Sequence, residues 1–344
     1  MQKAKFILSK SKLLEQYNKV KDAADIVSYS SKTNQEVTKL LGKETGCMFS
    51  VHLVNELKHV SDKSRVIFLA QAWNQDEIKS LTDDGIRFFA VDNLPDLDEL
   101  TKFLGNNNVK VKLLLRMKLK EYTIRTERYF VFGMDSEIIN KKVKELRNNK
   151  NIERLGIHFH RKTQNIGEWN LKQELSNIIE EDVWGLLDFV NIGGGLPSVY
   201  ANTNEDVIKT IFDKIKEFRD WLKENNIQMI IEPGRFIAAP AVKLITYIKG
   251  IYENNITVNA SVYNTDLDAL IVPVKLVVEG ELPKGEGKPY VIKGITPCSM
   301  DMFRYRVYLK EPKVGDKLVF LNAGAYNFAS DFCDLEKLKI EVVE

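Results

Sequence analysis

Cysteine is scarce in this sequence. Cys47, Cys298 and Cys333 are odd in number and lack metal-type spacing, so they indicate neither a disulfide framework nor a zinc site. Charge of one sign is missing as well: 50 Lys and Arg stand against 48 Asp and Glu, interspersed, for a net charge of +2. Such a chain has no basic stripe, which argues against nucleic acid or a membrane surface as partner. No apolar run approaches the roughly 20 residues of a membrane-spanning helix. The N-terminus, MQKAKFILSKSKLLEQY, meets Ser9 and Lys10 after three apolar residues, too short for a signal-peptide core. Low-complexity tracts and flexible linkers are absent too. A cytoplasmic enzyme acting on a small molecule is the default reading.

What is present is enough apolar material for a large core, 44% of 344 residues. At roughly 100–200 residues per domain, that length suggests two domains, or one large barrel with an appendage. The first two-thirds alternates short β-branched runs with amphipathic stretches. The strand candidates are IVSYSS (26–31), CMFS (47–50), VIFLA (66–70), IRFFAV (86–91), VKLLLRM (111–117), LGIHFH (155–160), FVNIG (189–193) and QMIIE (228–232). Between them lie helical patterns such as NQDEIKSLTDD, SEIINKKVKELRNN and EDVIKTIFDKIKEFRDWLKENN. Continuous apolar strands covered by helices imply a parallel sheet. Eight βα units point to an α/β chain built on a (β/α)8 TIM-like barrel, with a doubly wound open sheet as competitor. After Pro240 the texture changes to short strands divided by turns: ITVNASVY, ALIVPVKLVV, KPYVIKGI, FRYRVYLK, DKLVFLN and KLKIEVV. The chain therefore divides into a barrel over 10–238 and a β-rich C-terminal domain over 239–344, joined by the first strand within 1–9.

Functional groups of such a barrel gather where strands end. Strand one ends in Lys32, strand six in His160, strand seven in Gly193, Gly194 and Gly195, and strand eight in Glu232-Pro233-Gly234-Arg235. Each alone has a plain structural explanation. Lysines after strands are usually solvated, one of His158 and His160 is a packing residue, a glycine run makes a tight turn, and Glu232 can simply pair with Arg235. Their common location at successive strand ends favours a shared role. An amine, an imidazole, a bare-backbone anion cradle and a carboxylate together suit pyridoxal 5'-phosphate. That cofactor needs a Schiff-base lysine, a flat group against its ring, a partner for its ring nitrogen and donors for its phosphate.

On these motifs the chain resembles the fold-type III, alanine-racemase-fold pyridoxal phosphate decarboxylases, the group acting on ornithine, lysine, diaminopimelate and carboxynorspermidine. The resemblance runs from about residue 24 to 332. SYSSKTN is similar to the family's lysine segment, which implies Lys32 as the cofactor lysine. FSVHLVNEL places Glu56 at the family's acidic residue, with Ser50 replacing another acid. LLLRM implies Arg116 as the barrel arginine, and IHFHRKTQ implies His160 as the ring-stacking imidazole. NIGGGLP resembles the phosphate loop. EPGRFIAAPA, the most specific match, implies Glu232 at the ring nitrogen and Arg235 near the phosphate, with Gly234 between them. TPCSMDMF resembles the loop whose cysteine and acid enter the partner subunit's site, which implies Cys298, Asp301 and a homodimer with shared active sites. GAYNFASDF implies Tyr326 on the phosphate.

Departures bear on the substrate. Only Ser299 and Met300 separate Cys298 from Asp301, Ser299 stands where an acid is usual, and Ala260 replaces the ornithine enzymes' aspartate. The segment around Asp268 looks more like the carboxynorspermidine branch. The resemblance implies decarboxylation, with Lys32 and Cys298 moving protons; a distal amine needs a carboxylate, for which Asp301, Asp268 and Asp266 are the candidates. Ornithine, giving putrescine for polyamine synthesis, is the first-choice substrate and lysine the next; carboxypolyamines and diaminopimelate are alternatives. An amino-acid racemase would present Arg to the ring nitrogen, which EPGR does not. A non-catalytic cofactor carrier would lack the β domain.

Overall fold

The computed structural model describes residues 2–119, 131–162, 164, 169–203 and 206–344. A first strand, β1 (Lys5–Ser9), leads into helix α1 (Lys10–Lys21). Eight parallel strands follow: β2 (Ile26–Ser30), β3 (Met48–Val51), β4 (Val66–Ala70), β5 (Phe88–Val91), β6 (Val111–Arg116), β7 (Ile152–His158), β8 (Phe189–Asn191) and β9 (Gln228–Ile231). Each coincides with one of the eight apolar runs. Each pairs with the next, and β2 pairs with β9 through Ile26↔Ile230 and Val27↔Ile231, which closes the barrel. The open-sheet alternative is thereby excluded.

Local chemistry explains the alternation. All four residues of β5 are buried, as suits strands covered on both sides. Asparagine starts three of the intervening helices. The Asn34 side chain accepts from the amides of Glu36 and Val37 to begin α2 (Gln35–Glu44). Asn74 forms a capping box with Glu77 on α3 (Gln75–Asp83), and Asn93 accepts from Asp96 on α4 (Leu94–Asn107). The remaining barrel helices are α5 (Ser136–Leu146), α6 (Leu171–Ser176), α7 (Glu181–Trp184) and α8 (Asp206–Glu224). Ile67, Phe88, Ala90, Leu114, Phe189 and Ile230, from five different strands, form a buried cluster joined by Ile26, Met48 and Leu69. The barrel is thus filled rather than open through its length, which confines polar groups to its ends.

By Cα proximity the chain falls into two units: Met1–Asn18 with Ser198–Glu205 and Arg235–Glu344, and Lys19–Pro197 with Asp206–Gly234. The second contains the barrel. The first holds helix α9 (Arg235–Ala241) and an eight-stranded sheet in which β1 pairs with β10 (Val242–Tyr252) and β16 (Ile340–Val343). Its other strands are β11 (Asn255–Val258), β12 (Val277–Val278), β13 (Lys288–Lys293), β14 (Met302–Leu309) and β15 (Lys317–Leu321). Two expected strands are corrected here. ITVNASVY stops at Val258, because the Ser261 side chain caps a helical turn, α10 (Val262–Thr265). ALIVPVKLVV opens as another turn, α11 (Asp268–Ile271), and keeps only two paired residues. The longest strand of the sheet, β10, lies outside the expected set: Lys243, Lys249 and Gly250 break its apolar pattern, and it emerges directly from α9.

Candidate active site

Glu232 follows β9 and is 4% exposed. Its Oε1 accepts from Asn191 Nδ2 at 2.9 Å, and its Oε2 lies 3.1 Å from His158 Nε2. Burial disfavours the charge, but His158, Asn191 and the Ser50 hydroxyl outweigh it and hold the carboxyl well below the usual carboxylate range. Lys32 sits in the short turn Ser31–Thr33 after β2. Desolvation lowers its pKa; Glu232 and Glu56 oppose this, and Arg116 reinforces it. Arg116 ends β6 and pairs with Asp92 at 3.1 Å, which also accepts from Gly133 N. Glu56 Oε1 accepts from the amides of His52 and Leu53. Lys32, Arg116, His160 and Glu232 all lie within electrostatic reach of one another, gathered by the ends of β2, β6, β7 and β9.

The glycine loop packs against the chain leaving β7. A Cβ on Gly193 would sit 2.2 Å from Phe159 O, and one on Gly194 2.8 Å from Glu232 O. Gly193 and Gly195 also have φ of +64° and +102°, the left-handed region that favours glycine. Gly193 N donates to Asn191 Oδ1 at 2.9 Å, and Gly194 N donates to His160 Nδ1 at 3.2 Å. That second bond fixes the His160 ring. Accepting that amide leaves Nδ1 unprotonated, and desolvation, with Lys32 next, pushes the pKa of the ring below the ordinary imidazole value. Gly234 packs on Thr33 so closely that a Cβ would fall 2.1 Å from Thr33 Oγ1.

Arg235 and Tyr326 belong to the other unit. The Arg235 guanidinium is bidentate on Asp268, with Nη2 to Oδ1 at 3.0 Å, and its Nη1 also donates to Tyr200 OH at 3.0 Å. The Tyr326 ring lies 5.0 Å from the guanidinium. Burial opposes the charge on Arg235, but Asp268 and Tyr200 raise its pKa on balance. Asp266 is buried beside this pair, and its Oδ2 has no hydrogen-bond partner among the described residues. Burial, then the neighbouring Asp268, raises its pKa well above the usual range. Asp301 is engaged elsewhere: Oδ1 accepts from Val262 N at 2.9 Å, and Oδ2 from Thr296 N and Oγ1 at 3.0 and 2.7 Å. Cys298 Sγ lies 3.3 Å from Tyr263 OH, which lowers the thiol pKa with help from the Met300 amide, while the phenol rises to about 12. Among the described residues no cluster of His, Cys, Asp and Glu could hold a metal ion, and no helix is long and apolar enough to cross a membrane.

Residues 10–239 match the family described as pyridoxal-dependent decarboxylase, pyridoxal binding domain. The chain belongs to this family. It is a decarboxylase, and its cofactor is pyridoxal 5'-phosphate. A probable chloroplastic diaminopimelate decarboxylase of Oryza sativa subsp. japonica is 25% identical over 93% of this chain and 70% of its own length. The solved diaminopimelate decarboxylase of M. jannaschi superposes with a TM-score of 0.84 at 21% identity, over 98% of this chain and 86% of that one. The lysine/ornithine decarboxylase of Vibrio vulnificus, solved with cadaverine, gives 0.78 at 21% identity over 99% and 94%.

The residues of this decarboxylase fit the cofactor. Its barrel offers an amine of lowered pKa, a buried ionised carboxylate, a fixed neutral imidazole and a glycine loop that tolerates no Cβ. Two of the three loop amides are already satisfied by Asn191 and His160, so the loop contributes fewer free donors than a bare glycine run suggests. Sequence reasoning missed Asn191 and the bond from His158 to Glu232. The available signal was the period-two alternation: His158 shares a strand face with His160, and Asn191 with Gly193.

Proposed function

We propose that this decarboxylase removes the α-carboxylate of a basic L-amino acid as CO2 and releases the amine, with ornithine giving putrescine first and lysine giving cadaverine next. The observation that carries the reaction is the amine of Lys32 coupled to the buried, ionised Glu232 at neighbouring strand ends. Pyridoxal 5'-phosphate, held by Lys32, supplies the electrophilic aldehyde and the ring that takes up the electron pair left as CO2 departs. Lys32 Nζ, with its lowered pKa, gives up its proton readily and serves as both anchor and proton carrier. Glu232 would face the ring nitrogen and favour its protonated form, and His160 would offer its ring face. Arg116, Gly193, Gly194, Gly195, Gly234, Arg235 and Tyr326 are assigned to cofactor binding, the last two to the phosphate on the resemblance alone. Cys298 Sγ, tuned by Tyr263, returns a proton to the α-carbon within a homodimer whose subunits share sites.

The substrate's distal ammonium needs a carboxylate, because a buried unpaired charge is costly. Asp268, Asp301 and Asp266 are the candidates, yet Asp268 is bidentate on Arg235, and Asp301 accepts one hydrogen bond from Val262 N and two from Thr296. Asp266 has a buried oxygen with no hydrogen-bond partner among the described residues, but its raised pKa favours the neutral acid, so it would read a distal ammonium only by ionising beside it. Diaminopimelate is the second reading, supported by the names of the rice and M. jannaschi relatives. Its distal carboxylate would need a cation in addition, and Arg235 is already held by Asp268. The test is kcat/KM for ornithine, lysine, arginine, diaminopimelate and carboxynorspermidine, in wild type and in Asp266→Asn, Asp268→Ala and Asp301→Ala. At least one change should alter discrimination by more than about tenfold. Smaller effects throughout, or fastest turnover of a neutral amino acid, would defeat the carboxylate argument.

A further inference from the structure

His158 is fully buried, and its two ring nitrogens differ completely in surroundings. Nε2 lies 3.1 Å from Glu232 Oε2, whereas Nδ1 is buried with no hydrogen-bond partner among the described residues. Protonating both nitrogens would leave a charged N–H unpaired in a dry site, which costs more than leaving an unpaired lone pair. A proton on Nε2 meets the Glu232 carboxylate as acceptor, whereas one on Nδ1 would meet none among the described residues. Among the described residues Glu232 has no lysine or arginine within ion-pair distance. Its other contacts, Asn191 and Ser50, are neutral donors.

We propose that His158 is a positioning residue that fixes where the cofactor's ring-nitrogen proton resides. By donating from Nε2 it makes Glu232 a poor proton acceptor. The proton shared between Glu232 and the ring nitrogen then stays on the nitrogen, where it strengthens the ring as an electron sink. Without that donor the carboxyl becomes more basic and draws the proton to itself, leaving the ring neutral. Asn191 and Ser50 cannot compensate, because each already has a fixed second partner: Asn191 Oδ1 takes the Gly193 amide, and Ser50 Oγ lies 2.8 Å from Ser28 Oγ. The remaining charged or titratable groups around the pair are Lys32, His52, Glu56, Arg116 and His160, none of which hydrogen-bonds Glu232.

This role rests on Glu232 facing the ring nitrogen, and nitrogen-15 NMR separates the two claims. The chain has four histidines, so 15N-histidine labelling of the holoenzyme gives a small spectrum in which His158→Gln identifies the His158 signals. In wild type, Nε2 should be protonated and Nδ1 unprotonated. Ring-labelled pyridoxal phosphate should show a protonated nitrogen in wild type and in His158→Gln, whose amide restores a donor. It should shift to the unprotonated position in His158→Leu. A doubly protonated His158, or a ring nitrogen unchanged in His158→Leu, overturns the proposal. If His158→Leu fails to fold, the tautomer in wild type still decides it. A ring nitrogen that ignores Glu232→Gln as well would instead overturn the placement of Glu232. Neither measurement depends on which amino acid is the substrate.

Discussion

Glu232 is a carboxyl that burial would neutralise and that His158, Asn191 and Ser50 keep charged. Its pKa in the folded state is depressed below the unfolded value of about 4.3. The unfolded chain therefore binds more protons in acid, and the stability that Glu232 contributes is full above about pH 4.3 and shrinks as pH falls below it. Glu232→Gln cannot titrate. Urea unfolding of the apoprotein at pH 7 and pH 4 should show a stability gap between wild type and Glu232→Gln that narrows in acid. A gap that stays constant or widens would contradict the ionised, donor-held carboxylate. Single residues also show how far the sequence could be read. Lys32, His160, Glu232 and the glycine loop were legible because a strand end combined with a reactive residue type is a local signal. The His158–Glu232 bond was not, because it joins residues 74 apart in the chain, across strands. The same holds for Asp268, whose bidentate partner is 33 residues away.

The turn that follows β9 shows how an element is held in place. Gly234 lies against Thr33, in the turn that carries Lys32, and a Cβ there would approach Thr33 Oγ1 to 2.1 Å. Gly234→Ala should therefore destabilise the protein by about 1–3 kcal/mol, the usual cost of overpacking. Thr33 Oγ1 is buried without a hydrogen-bond partner among the described residues, so removing it sacrifices no bond seen there. Thr33→Ala should recover at least half of the loss when combined with Gly234→Ala, read as Tm by calorimetry. Additive losses in the double variant would show that the contact does not govern this turn. The eight barrel strands were legible because full burial favours consecutive apolar residues, as in VIFLA of β4 and FFAV of β5. The sheet strands were less so. In β10, residues facing solvent interrupt the pattern, and in ALIVPVKLVV an apolar run of strand type begins as a helical turn around Asp268. Short apolar runs do not distinguish the two.

At the scale of the whole molecule, the proposed dimer makes each site depend on two chains. Cys298 is not fully buried within one chain, and Tyr263, its hydrogen-bond partner, stacks on Phe332 at 4.0 Å. If Cys298 serves the partner's cofactor, Lys32→Ala and Cys298→Ala homodimers are each defective at both sites. A hybrid dimer would regain one intact site. Complete subunit exchange in an equimolar mixture should restore about a quarter of wild-type activity, since half the dimers are hybrids with one working site. No recovery despite demonstrated exchange would count against shared sites. The central claim, that this barrel carries out decarboxylation through Lys32, is tested most directly by product stoichiometry. Purified holoenzyme given ornithine or lysine should release one CO2 for each diamine formed. Lys32→Ala should lose that turnover together with the visible absorption of the lysine-bound cofactor. Full turnover by Lys32→Ala, or α-proton exchange and racemisation by wild type without CO2, would contradict it.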